Sequence, residues 1–372
     1  MTSFGTAVPY EDAKAKAENM RLRGPGNVQD ATPVLCVVPC LNEAEHLDGL
    51  IARLRNEANR VNLKIVVADG GSSDGSRNVV RRHMQDGDRV VLLENAKRIQ
   101  GAAVNKAVEI YGGAAEFLIR VDAHCSYPAG YCESLLAIQS ETGADSVVVS
   151  MCAEGDTCFQ KAAAAAQNSI LGNGGTAHRN AASGRFVDHG HHALIRIAAY
   201  KAIGGYDESF SWNEDAEFDV RLRANGFRIF LAGAPSIVYF PRRTIGALFR
   251  QYFNHGRGRA RNFLKHRERL RLRQIVPLAI APAVGLSLLA PIVPVFVIPA
   301  LLWSASCLAY GGYLGVKSRQ PCALLSGVSA VAMHSGWSLG FYAWLAIAKL
   351  RAWTHKADFN AQARPKGEAD EH

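Results

Sequence analysis

The sequence predicts an α/β protein in which a mostly parallel sheet, with helices on both faces, precedes a C-terminal region of transmembrane helices. Between residues 33 and 151, short β-branched runs alternate with amphipathic helical segments, which is typical of a parallel sheet covered by helices. From Gln274 to Val316 the chain carries no Asp, Glu, Lys or Arg over 43 residues. An uncharged run of this length indicates membrane helices, because it is costly to leave in water.

Five strands are expected in the first part of the chain, each a short apolar run bounded by polar residues. They are Val34–Val38, Leu63–Ala68, Arg89–Leu93, Glu116–Val121 and Asp145–Met151. The first helix should begin at Asn42 as its N-cap, with Glu45 three residues on as in a capping box. Apolar residues then recur at helical spacing, at Leu47, Leu50, Ile51 and Leu54.

The uncharged runs predict several membrane crossings. At ~1.5 Å per residue the first run would form a helix of about 65 Å, roughly twice the hydrocarbon thickness. Two crossings with a break at a proline are therefore expected there, near Pro291, Pro294 or Pro299. A second uncharged run, Gln320–Ala348, is long enough for one crossing. The alternative is a buried helical core in a soluble protein.

The positive-inside rule leaves the total at two or three crossings, because basic residues flank the uncharged runs on every side. These residues are Arg273, Lys317, Arg319, Lys349 and Arg351.

The net charge of +9 is concentrated in one segment. Between Arg242 and Arg273 there are ten Arg and one Lys against one Glu, a net of +10, which leaves −1 for the rest of the chain. This segment directly precedes the first uncharged run, which indicates anchoring against anionic lipid headgroups. Its apolar residues are spaced for one face of an interfacial helix, at Ile245, Leu248, Phe249, Tyr252 and Phe253. A nucleic-acid surface is the disfavoured alternative, because the aromatic residues are confined to this short stretch.

These patterns divide the chain into a polar N-terminal segment (1–31), an α/β domain (32–241), a basic amphipathic segment (242–273), transmembrane helices (274–350) and a polar tail (351–372). The N-terminal segment lacks a central apolar region, so no signal peptide is expected and the α/β domain should stay in the cytoplasm. Eight cysteines without a Cys-x-x-Cys pair or zinc spacing fit a reduced cytoplasmic setting.

Polar residues follow four of the predicted strands directly. The four segments are Pro39–Glu43, Asp69–Ser76, Glu94–Arg98 and Asp122–His124. In parallel sheets ligands bind outside the carboxyl ends of the strands. Carboxylates such as those of Glu43 and Asp69 suit a base edge and ribose hydroxyls, and the cations of Lys97 and Arg98 suit phosphate. Each segment alone could be only a turn or a helix cap, but four in register predict a nucleotide-sugar site.

Asp122 and His124 form a candidate pair of metal ligands. They lie two residues apart at the end of a predicted strand, and on an extended segment both side chains would point the same way. A carboxylate and an imidazole are both ligands for divalent ions.

The chain resembles the inverting glycosyltransferases of family 2, which have the GT-A fold. The resemblance covers about residues 32–260 and is carried by the sequences Val38–Glu43, Asp69–Ser76, Asp122–His124 and Asn213–Asp215. Within the family it is greatest to transferases of succinoglycan-like exopolysaccharide synthesis. That closer resemblance rests on the sequences Phe186–His192, Gly204–Asp207 and Asn213–Asp219.

The resemblance implies a role for each matching donor-site residue. Pro39, Asn42 and Glu43 would hold the ribose of a UDP-sugar, and Asp69 would hydrogen-bond the uracil edge. Arg98 would lie near the diphosphate. Arg257 falls where related membrane transferases carry a Gln-x-x-Arg-Trp loop that contacts the diphosphate. The match is loose and this chain lacks the Trp, so binding of lipid headgroups or polyprenyl diphosphate is the favoured use of this basic stretch.

Asp122 and His124 match the metal-binding Asp-x-Asp motif of the family, and Asp122 would also face the donor diphosphate. His124 replaces the second Asp, which favours Mn²⁺ over Mg²⁺. His191 would be a third protein ligand. His189 and His191 are expected on one face of a strand, with His192 on the other. Neutral histidines hydrogen-bonded beside the site are the alternative for this cluster.

Asp215 matches the catalytic base of the family, and Glu214 would orient it or the acceptor. An acidic helix cap is the alternative for this pair.

The resemblance therefore implies a multi-pass enzyme of the bacterial inner membrane. Its cytoplasmic domain would transfer a hexose, glucose, from UDP-glucose to a polyprenyl-diphosphate-linked saccharide, with inversion. Two alternatives stay open: transfer to a polyprenyl phosphate, which would not need the segment 152–212, and a membrane scaffold without turnover.

Overall fold

The computed structural model describes residues 32–85, 87–173, 184–267, 270 and 272–362. The predicted N-terminal segment 1–31 lies outside this part of the chain, as does 174–183 within the predicted acceptor-side segment.

Nine strands in the described residues form one mixed sheet. They are β1 (Val34–Cys40), β2 (Leu63–Asp69), β3 (Val90–Glu94), β4 (Phe117–Arg120), β5 (Cys125–Ser126), β6 (Ser146–Ala153), β7 (Arg185–Val187), β8 (His191–Arg196) and β9 (Ile229–Tyr239). The order is β3-β2-β1-β4-β8-β6-β9-β5, and β7 pairs with β9. The five predicted strands are therefore present as β1, β2, β3, β4 and β6.

The first half of the sheet is parallel, because β3, β2, β1 and β4 pair in register through helical crossovers. In β1, all seven residues are buried, as expected for a central strand covered on both faces. The second half is mixed: β8 runs antiparallel to both β4 and β6, and β9 is parallel to β6. The predicted mostly parallel sheet with helices on both faces is confirmed.

The helices of the α/β domain occupy the connections between these strands. They are α1 (Ala44–Glu57), α2 (Ser76–Met84), α3 (Gln100–Tyr111), α4 (Tyr131–Thr142), α5 (Cys158–Asn168), α6 (Ile170–Asn173), α7 (Ile197–Ala202) and α8 (Glu214–Ala224).

The predicted cap of the first helix is wrong. The N-cap of α1 is Glu43, whose own side chain makes no capping hydrogen bond. Asn42 instead has a positive φ of 57°, and its side-chain oxygen accepts a hydrogen bond from the backbone N–H of Ser73, 2.8 Å away. The side-chain amide of Asn42 therefore bonds to the loop after β2 instead of capping its own helix.

After β9 the described residues are mostly helical. They contain α9 (Ile245–His266), α10 (Leu272–Leu278), α11 (Ile280–Ser287), α12 (Ile298–Ser318) and α13 (Ser326–Gln362). Short 3₁₀ turns, Pro294–Val297 and Pro321–Leu325, precede α12 and α13. Among the described residues, one helical stretch, Pro294–Ser318, is long and apolar enough to cross a membrane, and Gln274–Ser287 is a shorter apolar stretch.

The described chain forms two compact units. The first reaches to Thr244 and includes Cys307–Ala330, and the second contains Ile245–Ser306 and the chain from Val331 onward. In the second unit, α9 packs closely on α13. A Cβ at Gly256 would overlap the backbone of Trp337, and one at Gly340 would overlap the backbone of Phe253, so both positions require glycine.

In the first unit a disulfide joins Cys158, the first residue of α5, to Cys322 in the second 3₁₀ turn. The expectation of reduced cysteines is wrong for this pair, whereas the other six cysteines carry free thiols. The two partners lie 164 residues apart in the sequence, and spacing rules address only nearby cysteines.

Candidate active site

The loops after β1 and β2 are held together by hydrogen bonds between their own polar groups. The backbone N–H of Asn42 donates to Ser72 Oγ at 2.8 Å, and that of Glu43 donates to Ser76 Oγ at 2.9 Å. The N–H of Ala44 donates to Asp74 at 2.9 Å. Two predicted donor-site segments therefore meet at the carboxyl edge of the sheet, as expected for adjacent parallel strands.

Asp69 is buried at the end of β2 with 1 % exposure. Its carboxylate accepts hydrogen bonds from the backbone N–H groups of Gly71, at 3.0 Å, and Ser72, at 3.2 Å. It also pairs with Arg77 Nε at 3.5 Å. The side chain thus shapes the loop that follows β2, and its contact with a uracil edge stays a prediction.

Arg98 lies beside the same loop. Its backbone has a positive φ of 56°, and its guanidinium lies over Gly71, within 3.4 Å of where a Cβ would be. The neighbouring Lys97 forms an ion pair with Glu208. The structure therefore brings the predicted phosphate-binding cation to the predicted base-binding loop.

Asp122 and His124 do not lie on an extended strand as expected. The strand β4 ends at Arg120, and residues 122–125 turn, with the N–H of Cys125 donating to the carbonyl of Asp122 at 3.3 Å. The backbone N–H of Asp122 donates to Tyr127 Oη at 2.7 Å. Both side chains still lie at the carboxyl edge of the sheet.

His124 contacts Glu43, which follows the neighbouring strand β1. His124 Nδ1 lies 3.2 Å from Glu43 Oε1. This hydrogen bond raises the pKa of His124 above its usual value, against the opposing effect of burial. The contact joins a predicted metal ligand to a predicted ribose-binding residue.

His191, at the start of β8, lies between two carboxylates. Its Nε2 is 3.6 Å from Asp122 Oδ2, and its Nδ1 is 3.9 Å from Asp215 Oδ2. Burial lowers the pKa of His191 despite these carboxylates, so the imidazole is neutral at pH 7 and able to bind a metal.

The guanidinium of Arg120 occupies the centre of the site. Its side chain is 3 % exposed. Its nitrogens lie 2.7 Å from Asp215 Oδ1, 3.3 Å from Glu214 Oε1 and 3.4 Å from Asp122 Oδ1. Gln100 Oε1 accepts a further hydrogen bond at 3.0 Å, and Tyr206 Oη lies at 3.4 Å. One buried cation therefore contacts all three carboxylates.

This network gives the two acids that begin α8, Glu214 and Asp215, very different pKa values. Burial would raise the pKa of Asp215, but Arg120 and His192 outweigh it and hold that pKa well below its usual value. Burial and the charge of Asp215 raise the pKa of Glu214 to about 7. Asp215 is therefore ionised at neutral pH.

His192 and His189 share one carboxylate, that of Asp219. His192 Nε2 lies 2.7 Å from Asp219 Oδ1, and His189 Nδ1 lies 2.7 Å from Oδ2. His192 Nδ1 lies 2.6 Å from Tyr206 Oη and 3.3 Å from Asp215. Burial lowers the pKa of His192, but Asp219 and Asp215 outweigh it and raise the value to about 10.

The expected grouping of the histidines is therefore wrong. His189 precedes β8, which begins at His191, so strand alternation does not apply to it. It pairs with the partner of His192 instead of lying with His191.

The structure brings together part of the predicted set of metal ligands. Among the described residues, no three His, Cys, Asp or Glu side chains are already gathered at metal-binding distances. Asp122 and His191 converge, and His124 is close enough to Asp122 for their charges to interact. The carboxyl of Asp122 is ionised at neutral pH, because Arg120, His191 and His124 lower its pKa against the effect of burial, and this negative charge suits a divalent ion. The donor set and this charge therefore fit such an ion, with substrate oxygens completing its shell.

Arg257 lies in the second unit. Its guanidinium, on α9, stacks on the ring of Trp344 at 5.5 Å, as does that of Arg261 at 5.6 Å. A contact of Arg257 with a donor diphosphate stays a prediction.

Sequence reasoning missed three residues of the network: Arg120, Tyr206 and Asp219. Arg120 was counted within an apolar strand, although an arginine two residues before Asp122 is an unusual end for a buried strand. Tyr206 and Asp219 lie within the family-like sequences Gly204–Asp207 and Asn213–Asp219, but these sequences alone do not indicate a role for either side chain.

Two family profiles match the chain. "Glycosyl transferase family 2" matches residues 35–204, and "Glycosyl transferase family group 2" matches residues 147–316. The first match contains β1 to β4 and β8, and it therefore includes Asp122 and the histidine cluster.

Known proteins similar to the chain include two curated relatives and one solved structure. The succinoglycan biosynthesis protein ExoA of Rhizobium meliloti is 52% identical over 312 residues, which cover 84% of this chain and 94% of that protein. Glycosyltransferase AglE of Haloferax volcanii is 24% identical over 68% of this chain and 80% of its own length.

The solved structure is the mannosyltransferase PcManGT from Pyrobaculum calidifontis in complex with GDP-Man and Mn²⁺. It matches with a TM-score of 0.54 and 17% identity, over 88% of this chain and 95% of that one. At this identity the likeness supports the fold alone. With the profile and the ExoA match, it shows that the chain belongs to glycosyltransferase family 2 and is a glycosyltransferase with the GT-A fold.

Proposed function

We propose that this protein is a membrane-anchored, inverting, metal-dependent hexosyltransferase. It transfers glucose from UDP-glucose to a polyprenyl-diphosphate-linked saccharide in the synthesis of a succinoglycan-like exopolysaccharide. The observation that carries the proposal is the convergence of Asp122, Glu214 and Asp215 on Arg120 beside His191. This convergence brings Asp122, the predicted ligand of the metal and the diphosphate, close to Asp215, the predicted base.

The reaction is a single displacement at the anomeric carbon. The acceptor hydroxyl oxygen forms the new bond to this carbon while the bond to the diphosphate oxygen breaks, and UDP departs with the bonding electrons. Asp215 takes the proton of the attacking hydroxyl. Because Arg120, His192 and Tyr206 engage its Oδ1, its Oδ2 is the oxygen we assign to this proton.

Asp122, His124 and His191 would hold a divalent ion, which would neutralise the departing diphosphate. The neutral imidazole of His191 separates the carboxylate of Asp122 from that of Asp215. An ion that accepts imidazole ligands suits this set, which supports Mn²⁺ over Mg²⁺.

The donor and pathway assignments are supported by likeness to known proteins. ExoA, 52% identical, is named as a succinoglycan biosynthesis protein. The hydrogen-bonded loops after β1 and β2 offer carboxylates and backbone groups to a base and a ribose, and Arg98 offers a cation to phosphate.

The test is turnover by the purified full-length protein in detergent or nanodiscs with Mn²⁺. UDP-glucose, UDP-galactose and GDP-mannose are offered separately with lipid-linked galactose, and the lipid product is weighed by mass spectrometry. We expect one added hexose from UDP-glucose, abolished by EDTA and restored by Mn²⁺. Failure to turn over with every donor and acceptor would favour the scaffold without catalysis.

The same assay, run also with polyprenyl phosphate, distinguishes this alternative acceptor from the proposed lipid-linked saccharide. A polyprenyl-phosphate transferase would yield a lipid monophosphate carrying one hexose, whereas the proposed enzyme yields a lipid diphosphate carrying a disaccharide. The two products differ in mass, and NMR of the new linkage reports whether it is β, as inversion from an α-linked donor requires.

The proposed membrane topology is supported by the closeness of Cys158 and Cys322, whose Cα atoms lie 5.1 Å apart. Both cysteines belong to the first unit, so the 3₁₀ turn Pro321–Leu325 lies against the α/β domain. If α12 spans the bilayer, its end at Ser318 faces the side of that domain. The uncharged run before Lys317 must then make an even number of crossings, in agreement with the two expected. Lys317 and Arg319 at this end fit a cytoplasmic location.

Reporter fusions test this topology. We expect green fluorescent protein to fluoresce when fused after Arg319, and alkaline phosphatase to be active when fused after Ala290. An active phosphatase after Arg319 would contradict the topology.

A further inference from the structure

We propose that Arg120 is the positioning residue of the reaction: its guanidinium holds the base-side acids Glu214 and Asp215 at a fixed separation from the metal-side acid Asp122. This inference rests on the proposed function, because it deepens the account of the same site. No motif quoted from the sequence includes Arg120.

The first argument is geometric. Asp122 follows β4, whereas Glu214 and Asp215 begin α8, nearly a hundred residues later in the chain. The guanidinium at the end of β4 contacts all three carboxylates with separate nitrogens: Nε reaches Asp122, Nη2 reaches Glu214 and Nη1 reaches Asp215. A planar fork of this kind sets the direction of each acid as well as its distance.

The second argument is electrostatic. Three acidic side chains that meet in one largely buried place repel each other when they ionise unless a cation lies among them. Arg120 is the one Arg or Lys that ion pairs in the described chain connect to these acids. Its side chain is 3 % exposed, so water screens these contacts little.

The third argument is that Arg120 is itself fixed by neutral partners. Gln100, the first residue of α3, accepts from Nη2 at 3.0 Å, and the guanidinium lies 5.7 Å from the centre of the Tyr206 ring. Tyr206 Oη also lies 3.2 Å from Asp215 Oδ1. The guanidinium therefore cannot turn away without breaking contacts to four elements: α3, the loop after β4, the loop before α8, and α8.

The consequence is that loss of the fork would misplace the base without emptying the donor pocket. A displacement of about 1 Å at a reacting group can cost roughly 10²-fold in rate. We expect Arg120→Lys, which keeps the charge but loses the fork, to lower kcat by about 10²-fold while the KM for the sugar nucleotide changes less than about threefold.

Arg196→Lys is the matched control. Arg196 ends β8 and pairs with Glu116 and Asp145, each at 3.6 Å, away from the catalytic acids. This variant should keep the wild-type kcat. Equal losses in the two variants, a kcat of Arg120→Lys above half the wild-type value, or a rise in KM at unchanged kcat would each overturn the inference.

A stability cycle tests the same inference without turnover. Arg120→Met leaves the acids unpaired, so its thermal midpoint should fall, and Asp215→Asn in that background should restore part of the loss because it removes one repelling charge. Additive losses in the double variant would overturn the coupling. If wild-type protein showed no transfer, the proposed function would fail, while this cycle would still decide whether Arg120 holds the acids.

Discussion

The two sides of the candidate site are built in different ways. On the proposed donor side, the loops after β1 and β2 are held by hydrogen bonds from backbone N–H groups to side-chain oxygens, such as those of Ser72, Ser76 and Asn42, in a partly exposed place. On the proposed acceptor side, buried Arg120 and His192 hold the partly buried Asp215 by charge. The comparison indicates that removing one backbone hydrogen bond from a loop costs little free energy. Removing one partner from a buried charge network costs much more.

The largest expected effect is on the acceptor side. Asp215→Asn keeps the shape of the side chain but removes the proton acceptor, so kcat should fall by roughly 10³-fold, within the usual range for general-base catalysis. The KM for the sugar nucleotide should stay close to the wild-type value. The measurement is UDP release by the full-length protein with Mn²⁺.

Asp48→Asn is the control for that change, because Asp48 is 61 % exposed and pairs with Arg82 and His83 outside the site. If Asp215→Asn retained most of the wild-type kcat, Glu214 would have to be considered as the base.

The next effect concerns the metal. His191→Ala should weaken Mn²⁺ binding by roughly 10- to 100-fold, the range seen when groups around a metal site are removed. His189→Ala should leave Mn²⁺ affinity nearly unchanged, because His189 pairs with Asp219. Titration of Mn²⁺ by calorimetry with UDP present measures both variants. Equal losses would mean that His191 has no special role in the metal site.

A smaller effect is expected on the donor side. Asn42→Ala removes the acceptor of the Ser73 N–H, a hydrogen bond worth about 1 kcal/mol. The KM for the donor should rise ~5-fold with little change in kcat, because the loop loosens while the base stays in place. Ser73→Ala, which removes only a 3.4 Å side-chain contact, should have less effect. A fall in kcat for Asn42→Ala would mean that the two sides are not independent.

The last expected effect is on stability at alkaline pH. The pKa of His192 is about 10 in the fold and about 6.5 for an ordinary histidine. Between these values the folded protein binds a proton that the unfolded chain does not, so stability is fully present below pH 6.5 and falls as pH rises toward 10. The thermal midpoint should therefore decline by several degrees over this range, and His192→Gln should flatten the decline. An equal slope in both proteins would refute this assignment.

The sequence predicted the donor side of the site better than the acceptor side. The donor side follows from strand patterns and turn residues, which are local, and all five predicted strands are present. On the acceptor side, Asp215 was identified through a motif, but its partners come from β4, β8 and the loop before α8. Contacts between such distant segments leave no periodic signal. Arg120 in particular reads as part of an apolar strand, because strand patterns do not reveal what lies beyond a strand end.

The carboxylate of Asp219 links a partly exposed imidazole to the interior. His189, with 36% of its side chain exposed, contacts one oxygen, and buried His192 contacts the other and continues to Tyr206 and Asp215. His189 is thus a natural spectroscopic probe at the outer end of a hydrogen-bonded chain. With ¹⁵N-labelled histidine, its ring resonances should respond when an acceptor sugar reaches Asp215, giving an occupancy signal that needs no attached dye.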